Sequence, residues 1–168
     1  MITETELAKR VKELGAEITE IARKEPVIAV CILKGSFIFF SDLVRHIEAD
    51  IATEFLGTAS YGNSMKSSGE VKLTLDLTNS IEGKTVILIE DIIDTGLTMD
   101  FLTKTLAARK PKRLLTCSFL CKPEALKTSF KPDYVGFKIP NDFVIGYGLD
   151  YQGFYRNLPY IARVESLQ

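Results

Sequence analysis

Val86-Ile87-Leu88-Ile89-Glu90-Asp91-Ile92-Ile93-Asp94-Thr95-Gly96-Leu97-Thr98 reads as a buried strand that ends in two adjacent carboxylates and passes through a small-residue turn into a helix. Its branched apolar residues suit a pleat covered on both faces. Thr95-Gly96 can present backbone N–H groups left unpaired at a helix start, where anions bind readily. A junction of this kind can hold both a sugar and its phosphate.

The same pattern recurs on either side of this stretch. Val27 to Leu33 is a short continuous apolar run behind Pro26, as expected of a strand inside a parallel sheet. Before it, Leu7, Val11, Leu14, Ile18 and Ile21 recur at steps of four and three and predict an amphipathic helix. After it, Phe37, Phe40, Val44 and Ile47 mark a second helix, reached through Lys34-Gly35-Ser36. A third strand is predicted near Ile51 to Leu56. Residues 57–70, rich in Gly, Ser and Asn with few apolar anchors, read as a mobile loop. Val71 to Leu77 alternates like a half-exposed strand, Glu82-Gly83 turns the chain, and the helix after Thr95 ends before Lys110-Pro111. Leu114 to Leu120 predicts another buried strand. Residues 134–168 mix short strands with Gly146, Gly148 and Gly153 and suggest a small lobe over the sheet edge.

Strands alternating with helices predict an α/β fold, a single domain over residues 1–168 whose mainly parallel sheet is flanked by helices joined through right-handed crossovers. Ligands in such sheets bind beyond the carboxyl ends of the strands. Lys34-Gly35-Ser36 and Glu90 to Thr98 both lie at such ends.

At 168 residues, 46% hydrophobic and 26% charged, the chain is long enough for one full core. A net charge of -1 removes the broad basic field that nucleic-acid binding needs, so an anionic ligand must be held by local groups. Cys31, Cys117 and Cys121 fall in or beside apolar runs and read as buried thiols of a reducing compartment. No apolar run reaches membrane-spanning length and the first residues lack signal-peptide character, so a cytoplasmic protein without membrane partners is expected.

With the two loops placed, the chain resembles the hypoxanthine-guanine phosphoribosyltransferases along nearly its whole length. Ile89 to Thr98 matches the phosphoribosyl diphosphate signature of that family. Leu33-Lys34-Gly35-Ser36, Ser60-Tyr61-Gly62, Cys121-Lys122-Pro123 and Phe143-Val144-Ile145-Gly146-Tyr147-Gly148-Leu149-Asp150-Tyr151 stand around it in family order. The resemblance implies the type I phosphoribosyltransferase fold with a hood lobe built largely from the C-terminal segment. It implies transfer of a phosphoribosyl group from phosphoribosyl diphosphate to a 6-oxopurine, hypoxanthine or guanine, with magnesium as cofactor and a homodimer or homotetramer as the assembly. An aromatic pair, Phe39-Phe40, suits either a subunit contact or the core.

The resemblance also implies roles. Glu90 and Asp91 would accept from the ribose hydroxyls, since ionised carboxylates are acceptor-only groups. Thr95, Gly96, Leu97 and Thr98 would bind the 5′-phosphate through N–H groups and hydroxyls, although ordinary helix capping uses the same donors. Leu97 stands where some relatives carry a basic residue, a position that can act through its N–H. Asp94, otherwise an N-cap, would handle the proton at purine N7, a task that suits a carboxylate whose pKa is lifted by burial or a neighbouring negative charge. Lys34 and Gly35, otherwise a simple turn, would face the diphosphate, with the peptide before the lysine often cis. Ser60 and Tyr61, within the mobile segment, and Arg156, whose planar fork suits phosphate oxygens, would complete the diphosphate site. Asp150, with Glu90 and Asp91, would help hold magnesium, which keeps few protein ligands. Phe143 would stack on the purine, Lys122 donate to O6, and the Val144 backbone and Asp150 approach the far edge of the base.

Two rivals share parts of this pattern. Asp94-Thr95-Gly96 is the triad of an aspartic protease half, but there it belongs to an all-β fold, whereas here it leads into a helix carrying Phe101, Leu102 and Leu106. A non-catalytic nucleotide-binding regulator on the same fold is the other. The acidic balance and the retained Asp94, Lys122 and Asp150 argue against it.

Overall fold

The computed structural model describes residues 1–60 and 71–165, Ser60 by its backbone alone. The chain runs through α1 (Glu4–Ala22), β1 (Val27–Leu33), α2 (Phe37–Val44), β2 (Ile51–Ser60), β3 (Val71–Leu75), β4 (Thr85–Ile93) and α3 (Leu97–Ala107). It continues through β5 (Arg113–Cys121), a 3-10 turn at Pro123–Ala125, β6 (Tyr134–Lys138) and the short strands β7 (Val144–Ile145) and β8 (Ala162–Arg163).

Six strands pair in the order β3-β2-β1-β4-β5-β6, parallel throughout except for the antiparallel edge strand β3. Alternate residues of the central strands feed opposite faces. Val27, Ala29, Cys31, Ile87 and Ile89 meet Leu7, Val11, Leu14 and Ile18 of α1 and Phe39, Phe40 and Leu43 of α2. Ile28, Val30, Ile32, Val86 and Leu88 meet Met99, Leu102 and Leu106 of α3. Both faces are therefore dry, which is why these strands read as unbroken apolar runs. A capping box starts α1: the Glu6 N–H donates to Thr3 Oγ1 at 3.3 Å, and the Thr3 N–H donates to Glu6 Oε2 at 2.8 Å.

From β1 the chain winds outward to β2 and β3 on one side, and from β4 to β5 and β6 on the other. The order thus reverses between β1 and β4, and the crevice at their carboxyl ends is where an open α/β sheet binds ligands.

Several elements depart from the sequence pattern. The second helix buries Phe39, Phe40 and Leu43 but leaves Phe37 at 44% exposure, because the face centred on Ser36, Phe39 and Leu43 turns inward and Phe37 falls on its flank. Phe39-Phe40 is accordingly core. The third strand runs past Leu56 to Ser60, since its polar end finds partners in β3 from Thr58↔Leu73 to Ser60↔Val71, after an irregularity at Gly57/Thr58. Tyr134–Lys138 joins the main sheet beside β5 rather than leaving it. The small lobe that follows pairs Val144 with Arg163 and Ile145 with Ala162, and it takes in the start of the chain, where Ile2 and Ile161 exchange backbone hydrogen bonds of 3.1 and 3.0 Å. Tyr61, the Ser60 side chain and most of the 57–70 segment lie outside the described residues.

Candidate active site

Strand β4 delivers Glu90 and Asp91 to the crevice, and the turn after it delivers Asp94, Thr95 and Gly96. A cavity of about 300 Å3 lies there, lined by Lys34, Gly35, Thr58, Glu90, Asp91, Asp94, Thr95, Gly96, Thr98, Asp150 and Arg156 among others. Most groups assigned to ribose, phosphate and diphosphate thus converge on one space.

Glu90 is buried, and its Oε1 accepts the Asp91 N–H at 3.1 Å. Burial first, and then the adjacent Asp91 carboxylate, push the Glu90 carboxyl well above the usual carboxylate range. A cation or a set of hydroxyl donors would favour its ionised form. On the other side Gly35 leaves room for Asp91: a Cβ at position 35 would lie 1.7 Å from Asp91 Oδ2. The glycine is there to admit a carboxylate, a reason that spacing alone did not disclose. The peptide between Leu33 and Lys34 is cis.

The phosphate turn departs from simple capping. Gly96 occupies the N-cap of α3 at φ 80°, with no side-chain cap, and the nearest hydroxyl, Thr95 Oγ1, accepts the Leu97 N–H only at 3.5 Å. The first N–H groups of α3 are therefore weakly engaged, as an anion site requires. Behind the turn, the Lys127 N–H donates to Thr95 O at 2.9 Å, and a Cβ on Gly96 would lie 2.5 Å from Thr128 Oγ1. This buttress after β5 was missed in the sequence, where Leu126 to Thr128 carries no motif.

Asp94 is half exposed, and its charged partner is a cation: Lys122 Nζ lies 3.1 Å from its Oδ2. The burial expected as one route to a proton-handling Asp94 is absent, while Asp91, expected as a negative neighbour, lines the same cavity, and Lys122 pairs with Asp94 besides. Lys122 is itself buried, and its N–H donates to Ile93 O at 2.9 Å. The parallel pairing of Ile93 with Cys121 puts the next residues of the two strands side by side. The pair is a product of register, joining a carboxylate able to take a proton to an ammonium able to donate to a carbonyl.

Asp150 and Arg156 pair at 2.6 Å. The Gly153 N–H donates to Asp150 Oδ2 at 2.7 Å, and Arg156 Nη1 donates to Gly148 O at 2.6 Å. Phe143 is 43% exposed and meets Tyr151, the neighbour of Asp150, edge-on at 5.8 Å. Val144 is buried in β7, and neither it nor Leu97, Lys122 or Phe143 lines the cavity. Thr58 and Met99 do line it, without having been singled out in the sequence. Among the described residues no three Asp, Glu, His or Cys side chains form a metal-holding cluster. Glu90, Asp91 and Asp150 are hard oxygen donors on one cavity, a set that fits an ion carrying most of its ligands as substrate and water oxygens.

A mainly parallel sheet with a weakly capped helix start and paired carboxylates at its switch point is the frame expected of a phosphoribosyl-transferring enzyme. The family model described as a phosphoribosyl transferase domain matches residues 1–152, and the chain belongs to that family. It is 47% identical to the hypoxanthine-guanine phosphoribosyltransferase of Bacillus subtilis, over 96% of this chain and 90% of that one. It superposes on the hypoxanthine-guanine phosphoribosyltransferase of Bacillus anthracis with a TM-score of 0.92 at 46% identity, covering 98% of this chain and 96% of the other. A hypoxanthine phosphoribosyltransferase from Staphylococcus aureus gives a TM-score of 0.94 at 43% identity, covering 98% and 90%. The fold is the type I phosphoribosyltransferase fold, and the protein is a pentosyltransferase.

Proposed function

We propose that this enzyme serves purine salvage, transferring the 5-phosphoribosyl group of phosphoribosyl diphosphate to hypoxanthine or guanine. N9 of the base forms a bond to ribose C1′, the bond from C1′ to the diphosphate oxygen breaks, and the N7 proton leaves the base. The products are the nucleoside monophosphate, diphosphate and one proton. The observation that carries this reading is the Asp94–Lys122 pair, held 3.1 Å apart, with Asp94 lining the cavity at the ends of β1 and β4.

Asp94 takes the N7 proton as the C1′ bond forms, and Lys122 donates to O6 of the base. A 6-amino group would set one donor against another, so adenine is disfavoured. The N–H groups of Thr95, Gly96, Leu97 and Thr98 receive the 5′-phosphate, while Glu90 and Asp91 accept from the ribose hydroxyls. Lys34, the Gly35 N–H and Arg156 stabilise the departing diphosphate, where negative charge grows in the transition state. Glu90, Asp91 and Asp150 would hold a magnesium ion, which when bound supplies charge neutralisation to that leaving group. Phe143, the Val144 backbone and Asp150, in the hood formed by the C-terminal lobe, frame the base.

Among the described residues no helix is long and apolar enough to cross a membrane. The three cysteines are free and buried, and burial pushes the Cys31 thiol up to about 11 and that of Cys117 higher still, leaving them unreactive. A cytoplasmic location is the proposed one, in keeping with buried, unpaired thiols. A homodimer or homotetramer is the proposed assembly, measurable by light scattering. A panel of hypoxanthine, guanine, xanthine and adenine with phosphoribosyl diphosphate and magnesium tests the activity. Turnover of the 6-oxopurines alone is expected; no turnover by folded protein would favour a nucleotide-binding regulator.

A further inference from the structure

The turn Gly146-Tyr147-Gly148 plays no part in the chemistry above, yet several contacts meet on it. Tyr147 is buried with its backbone in the left-handed region at φ 49°, which a bulky residue rarely adopts. Its hydroxyl donates to Asp42 Oδ2 at 2.6 Å, reaching from the small lobe to α2, and its ring lies 5.1 Å from that of Phe119 in β5. Burial, and then the bond to Asp42, push the phenol well above its ordinary range, so it remains an O–H donor at neutral pH. Asp42 also pairs with Arg45 on its own helix.

The next residue reaches the site from two directions. Gly148, at φ 102°, packs so closely that a Cβ there would lie 2.0 Å from the Gly35 carbonyl oxygen. Its N–H donates to Arg156 O at 2.9 Å, and its own carbonyl accepts from Arg156 Nη1. The turn is thus wedged between the Lys34-Gly35 loop and Arg156. Asp42 belongs to α2, the helix that begins directly after that loop. The Tyr147 hydroxyl therefore ties the lobe carrying Arg156 and Asp150 to the helix that directly follows Lys34 and Gly35.

We propose that Tyr147 is a positioning residue: through its hydrogen bond to Asp42 it sets the spacing of the Gly35 loop and the Asp150–Arg156 pair, and so the affinity for the diphosphate group. The inference rests on the reading of Lys34, Gly35 and Arg156 as diphosphate contacts. Removing the hydroxyl keeps the ring in its place but frees the lobe to shift, and sub-ångström errors in placing charged contacts are costly.

The test is steady-state kinetics of the full chain with hypoxanthine and phosphoribosyl diphosphate, alongside thermal melts, for Tyr147→Phe, Asp42→Ala, Asp42→Asn and Arg156→Ala. Tyr147→Phe and Asp42→Ala should each raise KM for phosphoribosyl diphosphate about three- to tenfold, the scale of one lost hydrogen bond. Both should leave kcat and KM for hypoxanthine within about twofold, and the double variant should be no worse than either single one. Asp42→Asn keeps a carbonyl acceptor and should behave like the parent. An unchanged KM in Tyr147→Phe and Asp42→Ala, with a raised one in Arg156→Ala, overturns the positioning role alone. An unchanged KM in all three also overturns the diphosphate reading beneath it. Losses spread equally over kcat and both KM values, tracking a fall in melting temperature, reduce Tyr147 to packing and overturn the proposal. Should Tyr147→Phe fail to fold, the Asp42→Ala and Asp42→Asn pair decides.

Discussion

Replacing Gly35 with alanine adds one carbon to the most crowded point of the site. The new Cβ would lie 1.7 Å from Asp91 Oδ2, 2.5 Å from its Cγ and 3.1 Å from Oδ1. Those atoms are the end of a flexible side chain rather than backbone, so the fold can relieve the overlap by rotating the Asp91 carboxylate. An off-rotamer side chain costs about 0.5–1.5 kcal/mol, which in a domain of this size lowers the melting temperature by roughly 1–6 °C. The activity should fall much further. A displaced carboxylate no longer reaches the ribose hydroxyls or the cation, and a hydrogen bond to a charged group contributes about 1.5–3 kcal/mol. At about 1.36 kcal/mol per decade, that is roughly a 10- to 150-fold loss of kcat/KM for phosphoribosyl diphosphate. The assay varies phosphoribosyl diphosphate at saturating hypoxanthine, with a melt on the same sample. A kcat/KM within twofold of the parent would refute the placement of Asp91. So would a melting temperature that collapses by tens of degrees, because relief by side-chain rotation would then be wrong.

Asp94→Asn should reduce kcat about 100- to 10,000-fold, the usual span for a lost general base, with KM values changed little; unaltered turnover excludes the proton role. Lys122→Ala should narrow the ratio of kcat/KM for hypoxanthine over adenine, and an unchanged ratio places O6 recognition elsewhere. Glu25, paired with Lys112 and with Arg113 at 2.9 Å, has its carboxyl held down to about 2, chiefly by the Lys112 hydrogen bond and then by Arg113. A depressed folded-state value contributes stability above the ordinary carboxylate range that is lost as pH falls toward the folded value. Glu25→Gln should therefore melt below the parent at neutral pH, with the gap closing between about pH 4.5 and 2. A gap that is constant across that window contradicts the linkage.

The parts of the fold legible in the sequence are those where burial is local and two-sided. Val27–Leu33 and the Val86 to Ile89 run of β4 are apolar on both faces and need no partner to be recognised as central strands. What was not legible depends on who the neighbour is. Thr58 and Ala59 extend β2 only because β3 pairs with them, and Tyr134–Lys138 is a sheet strand only because β5 leaves an edge open. Phe37, periodic with Phe40, faces outward because packing chose the flank centred on Phe39. The residues at the ends of β1 and β4 were found from their chemistry, whereas Asp94 against Lys122, Gly35 against Asp91 and Thr128 behind Gly96 arise from register and close approach. No run of adjacent letters encodes those.

The reversal of strand order between β1 and β4 divides labour in a way that bears on how new specificities arise. On the proposed reading most of the grip on sugar and phosphate hangs from the ends of β1 and β4, with Arg156 and Asp150 reaching in from the lobe beyond β6, while the groups offered to the base come from the end of β5 and from that same lobe. The two sides meet at Asp94 with Lys122, at Gly148 against Gly35 and at Tyr147 with Asp42. On that reading, substitutions after Cys121 and around Phe143 that spare Gly148, Asp150 and Arg156 can re-aim the enzyme toward a different nucleophilic ring while the donor grip is inherited. One half of the molecule is a reusable handle, and the other is an interchangeable tool head.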